Sequence, residues 1–159
     1  MKKYLLACSI LYAAVVSAET IPHVSQSTVT VTAPKVDPEV LEIVKVLTDQ
    51  QTAWNEGNLE GYMNGYWKND SLLFIGKKGI TAGWQQTLDN YKRSYPDKDA
   101  MGLLGFEIMN VEMLSSTSAH VIGKWQLTRD AEQGNLSGYF TLVFRKIKNR
   151  WVIVSDHSS

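Results

Sequence analysis

Cysteine is nearly missing from this chain. Its single thiol, Cys8, lies among the first eighteen residues. A chain that has lost those residues has no cysteine, which rules out disulfides and thiol catalysis and leaves the apolar core to hold the fold. Long apolar runs are scarce as well. The one extended run, Tyr4 to Val16, has thirteen residues, short of the about twenty that span a bilayer. Charge of one sign is not concentrated anywhere: 16 Lys and Arg face 16 Asp and Glu, and no basic run exceeds two residues. Nucleic acid and anionic membranes are therefore not expected partners. The three histidines, His23, His120 and His157, show no ligand spacing, so no metal or other cofactor is expected. No Gly-x-Ser-x-Gly elbow presents a nucleophile.

The N-terminal residues do carry a signal. Lys2 and Lys3 precede the apolar run, and Val16-Ser17-Ala18 places small residues where a signal peptidase cuts. Residues 1–18 are expected to be a secretory signal peptide, making the protein secreted, into the periplasm, without stable membrane association after cleavage. Losing the two lysines brings the net charge near −2. Residues 19–36, rich in Ser, Thr, Val and Pro, read as a flexible leader. The alternation Thr28-Val29-Thr30-Val31-Thr32 offers an added edge strand as the lesser option.

The domain is expected over residues 37–159. Asp37-Pro38-Glu39 supplies a cap, a first-turn proline and a charge suited to the helix dipole. Val40, Val44, Leu47 and Trp54 then recur at helical spacing, with Leu41 and Ile43 widening the stripe, to an end near Gly57. Asn58 caps a short second helix carrying Leu59, Tyr62, Met63 and Tyr66. Ser71 to Ile75 and the turn at Gly76-Lys77-Lys78-Gly79 give a small hairpin. A third helix runs from about Ala82 to Tyr95 and stops before Pro96. The second half changes period: 103–114, 119–129, 136–147 and 151–156 read as consecutive strands in an antiparallel meander. The class is α+β, with about three helices packed on the concave face of a curved antiparallel sheet.

This order resembles the nuclear transport factor 2-like superfamily, a cone-shaped fold, and within it the secreted SnoaL-like, ketosteroid-isomerase-like domains of unknown function. Ala53-Trp54-Asn55-Glu56-Gly57-Asn58-Leu59, Gly65-Tyr66-Trp67-Lys68-Asn69-Asp70, Gly123-Lys124-Trp125-Gln126-Leu127, Gly138-Tyr139-Phe140-Thr141-Leu142-Val143 and the ending Trp151 to Ser159 carry the likeness. The resemblance implies a homodimer formed through the sheet. It says little about activity, because this fold hosts many functions. Ketosteroid-isomerase relatives use a carboxylate base near the first strand and a tyrosine on the first helix. Aligned by hand on Gly57-Asn58 and Asp70, those positions hold Ile75 and Gln50. Ile cannot take a proton and Gln is not a phenol acid.

Strand alternation indicates which side chains face the concave side. Val121, Gly123, Trp125 and Leu127 form one inward set; Gly138, Phe140, Leu142 and Phe144 form the next. On the last strand Val152, Val154 and Asp156 are expected inward, and Trp151, Ile153, Ser155 and His157 outward. The same alternation separates Asp156 from His157 and argues against a hydrolase triad in the closing Asp-His-Ser-Ser. Ligand contacts are expected from Trp54, Tyr62, Tyr66, Trp84, Tyr91, Trp125, Phe140 and Asp156, with Asp156 near the rim. Gly123 and Gly138 leave room on the inward face. The expected function is binding of a small organic ligand in an aromatic-lined pocket. The alternatives are a lyase, isomerase or hydrolase using Asp156 or Asp70 as acid-base, and an assembly module without ligand. Outward Ile122, Val143, Trp151 and Ile153 suggest that a second copy covers the back of the sheet.

Overall fold

Asp37 starts the first helix. In the computed structural model, which describes residues 36–159, its Oδ1 accepts from the Glu39 N–H at 2.9 Å and Pro38 takes the first helical position. The signal peptide expected over residues 1–18, the leader expected from residue 19 and the strand option at 28–32 fall within residues 1–35, outside the described residues. Helix α1 (Pro38–Asn55) buries Ile43, Leu47, Gln50 and Trp54, while Leu41 is exposed. The expected stripe is thus rotated, and a glutamine joins it. Helix α2 (Leu59–Met63) is capped by Asn58, whose Oδ1 accepts from the Gly61 N–H at 2.8 Å. A hairpin of β1 (Leu73–Gly76) and β2 (Gly79–Ala82) follows, then α3 (Trp84–Ser94). One further turn, α4 (Lys98–Met101), is capped by Asp97.

Four long strands complete the chain: β3 (Leu103–Ser115), β4 (Ser118–Thr128), β5 (Leu136–Ile147) and β6 (Arg150–Ser158). The order across the sheet is β2-β1-β6-β5-β4-β3. β3 to β6 form the expected antiparallel meander, but β1 pairs with β6 in parallel, so the curved sheet is mixed. The β5–β6 turn rests on Lys148 and Asn149, both at positive φ, a backbone hand that matches the strand twist. Glu39 ties α1 to this hairpin: it accepts from Lys146 Nζ at 2.6 Å and from Trp151 Nε1 at 2.5 Å. These two hydrogen bonds hold its carboxyl below the ordinary carboxylate range.

Alternation holds on β4 and β5. Val121, Leu127, Phe140, Leu142 and Phe144 are buried beneath the helices, with Trp125 partly buried against the same core. It fails on β6. Val143 pairs with Ser155 and Phe144 with Ile153, which leaves Val154 as a bulge. One extra residue reverses the parity of everything before it. Trp151 and Ile153 therefore join the inner core, and the inward placement of Val152 and Val154 is corrected. Asp156, beyond the bulge, keeps its expected side.

Candidate functional site

Two elements bring Tyr66 to Asp156. Just after α2 the backbone runs beside β6: Trp67 N–H donates to the Ile153 carbonyl at 2.8 Å, and Ile153 N–H donates to the Gly65 carbonyl at 2.9 Å. A Cβ on Gly65 would collide with the Gln50 side chain, so glycine lets α1 and this segment close up. Gln50 Nε2 then donates to the Tyr62 carbonyl at 3.0 Å. Tyr66 is left pointing at the last strand, where its hydroxyl donates to Asp156 Oδ2 at 2.7 Å. Ser158, two residues along the same face, donates to Oδ1 at 2.7 Å. Tyr62 Oη lies 3.4 Å from Tyr66 Oη and extends the chain of hydroxyls.

A cavity of about 120 Å³ opens in front of this group. Trp54, Tyr62, Tyr66, Tyr91, Trp125, Phe140 and Asp156 line it, so these expected ligand residues do come together. Trp84 does not. Its indole faces the other side of α3, donates to the Met63 carbonyl at 2.8 Å and carries Lys68 over its ring at 4.7 Å. Its role there is to tie α3 to α2. Asp70 is not at the cavity either; it is exposed on the turn before β1, where Asn69 Oδ1 makes the local bond to Ser71 N–H. Ile75 pairs with His157 on the outer side, whereas Phe74, level with Asp156, lines the cavity. The inner position of β1 is thus also unable to take a proton.

The rings interlock edge to face. Trp54 meets Tyr62 at 5.1 Å and Tyr95 at 4.9 Å, and Tyr91 meets Tyr62 at 5.3 Å and Phe74 at 5.8 Å. Such contacts favour a rigid wall over a collapsing one. The glycines do not enlarge the space as expected. The place of a Gly123 Cβ is taken by the Phe140 ring, and that of Gly138 by the Ser159 carbonyl. Sequence reading also missed Gln50, Phe74, Tyr95, Leu104 and Phe106 as lining residues. Leu104 and Phe106 alternate on β3 and were open to the same argument used for β4. Gln50 sits three residues after Leu47 and four before Trp54, but its polarity hid it from an apolar stripe.

Among the described residues lining the cavity there is a single carboxylate, that of Asp156. Asp156 is 3% exposed, deeper than the rim position expected for it. Burial pushes its carboxyl up to about 6, against the opposing pull of the Tyr66 and Ser158 hydroxyls. Burial also raises the phenols, Tyr62 to about 12 and Tyr66 and Tyr91 well above their ordinary value, so all three stay protonated hydrogen-bond donors. Trp125 Nε1 is buried with no partner. Buried donors rarely stay unpaired; this one is closed off against Gly138, where an added Cβ would come 2.9 Å from it. The arrangement offers one group able to gain or lose a proton near neutrality, several donors and an aromatic surround.

A model of the SnoaL-like domain family matches residues 43–159. A solved structure of an NTF-2 like protein of unknown function from Shewanella oneidensis MR-1 is 45% identical, covers 76% of this chain and 98% of its own, and superposes with a TM-score of 0.73. A ketosteroid isomerase-like protein from Erwinia carotovora atroseptica SCRI1043 shares 18% identity over 77% of this chain and 96% of its own, TM-score 0.61. A domain of unknown function with a cystatin-like fold from Nostoc punctiforme shares 15% over 80% and 78%, TM-score 0.64. A search of curated proteins found no match. The chain belongs to the SnoaL-like family of the nuclear transport factor 2-like superfamily.

Proposed function

We propose that this is a secreted protein that binds a small organic molecule in the cavity between its helices and sheet, and that it works as a homodimer. The observation that carries the binding reading is an aromatic cavity whose wall holds one buried carboxylate, that of Asp156. Room for about one ring is available, given that cavities near 150 Å³ admit benzene. Thermal denaturation against a panel of single-ring alcohols, amides and amines tests this. At least one should raise the melting temperature, and Trp125→Ala should weaken it tenfold or more, a loss of about 1.4 kcal/mol. A flat response across the panel would remove the reading.

A second reading, acid-base catalysis at Asp156, is favoured by the rise of its carboxyl to about 6, close to where a general base works best. Turnover lost in Asp156→Asn, with the fold intact, would support a lyase or isomerase over a binder. Asp70, exposed and away from the cavity, has no part in either reading.

A further inference from the structure

Among the described residues lining the cavity there is no Lys, Arg or His. Asp156 is therefore a buried acid whose only partners are two neutral hydroxyls. A buried carboxylate without a counter-charge is costly unless something supplies one. The wall of the same cavity includes the rings of Trp54, Tyr62, Phe74, Tyr91, Tyr95 and Trp125. Ring faces carry negative potential and attract organic cations, most strongly where water is excluded. An acid and an aromatic enclosure in one small cavity select for positive charge from two directions.

Resting on the ligand-binding reading above, we propose that the ligand is a small organic cation, an amine or quaternary ammonium, whose charged head sits in the aromatic enclosure against Asp156. The volume fits an alkylammonium head, and the cavity is not sealed, so a short polar arm can reach towards the mouth. Neutral ligands gain from the rings but leave Asp156 unpaired or protonated.

The pH dependence follows from the groups around Asp156. Tyr62 and Tyr66 face it from α2 and the segment after it, and Tyr91 from α3; all three stay neutral. Tyr95, just after α3, is raised as well. Phe74 on β1 and Leu142 on β5 bring no charge. His157 is the adjacent titrating group, exposed on the outer side of β6. Since the carboxyl titrates at about 6, cation affinity should fall roughly tenfold between pH 7.5 and pH 5.0.

Choline and its uncharged isostere 3,3-dimethylbutan-1-ol are the probes, measured by titration calorimetry on the full protein at both pH values. Choline should bind at least tenfold tighter than the isostere at pH 7.5. The preference should shrink at pH 5.0, vanish in Asp156→Asn and persist in His157→Gln. Equal binding of the two probes, or a preference insensitive to pH in the wild type, overturns the cation and leaves the pocket standing. If neither probe nor any neutral ring compound binds, the cation and the binding reading fall together.

Discussion

Asp156 sets the properties of the site through its burial. Its folded carboxyl titrates at about 6 rather than the ordinary 3.8, so the folded state holds the proton more tightly than the unfolded chain. Its contribution to stability is complete below the unfolded value and is lost as pH rises through about 6. At neutral pH the empty protein therefore bears a buried charge, and Asp156→Asn should stabilise it by roughly 1–3 kcal/mol at pH 8. The gain should shrink as pH falls from 6 to 4. Urea denaturation of both proteins across that range checks the sign; a variant less stable than wild type at pH 8 would show that the carboxylate is already compensated. The same substitution removes the group proposed to meet the ligand, so stability and binding should move in opposite directions.

At the level of elements, the site depends on close approach and on one irregularity. Gly123 lets β4 accept the Phe140 ring, and an added Cβ would also come 2.8 Å from the Glu107 carbonyl oxygen. Gly123→Ala should cost about 1–3 kcal/mol through overpacking, read from a lowered denaturation midpoint with unchanged slope. Helices α1 to α3, the hairpin and the meander were legible in the sequence because Asp37-Pro38, Asn58 and Pro96 punctuate strong periodic patterns, whereas the short turn α4 was not. The inner sets of β4 and β5 were legible by alternation alone. β6 was not, because nothing in Trp151-Val152-Ile153-Val154-Ser155 marks Val154 as a bulge; only pairing with β5 reveals it. Trp84 was misplaced for a related reason. Its spacing with Leu88 and Tyr91 fixes a helix, but which neighbour each ring meets is decided by how α3 packs on α2.

In the whole molecule, the inward turn of Trp151 and Ile153 changes what remains on the back of the sheet. Leu73, Ile75, Ile122, Tyr139 and Val143 are among the apolar side chains there, on β1, β4 and β5. Dimerisation through that surface is proposed on this changed set. Sedimentation at micromolar concentration should give a dimer, and Ile122→Glu with Val143→Lys a monomer that keeps its fold. A wild-type monomer would remove the proposal. Cavity and back surface lie on opposite sides of one sheet, so the monomeric variant should still bind ligand. The central claim is that the cavity around Asp156 and Trp125 exists to be filled. Native mass spectrometry of the protein purified from its own host tests it most directly. The account expects each wild-type subunit to carry a small molecule that is reduced or missing in Asp156→Asn and Trp125→Ala; bare subunits in the wild type, or the same added mass in all three proteins, would contradict it.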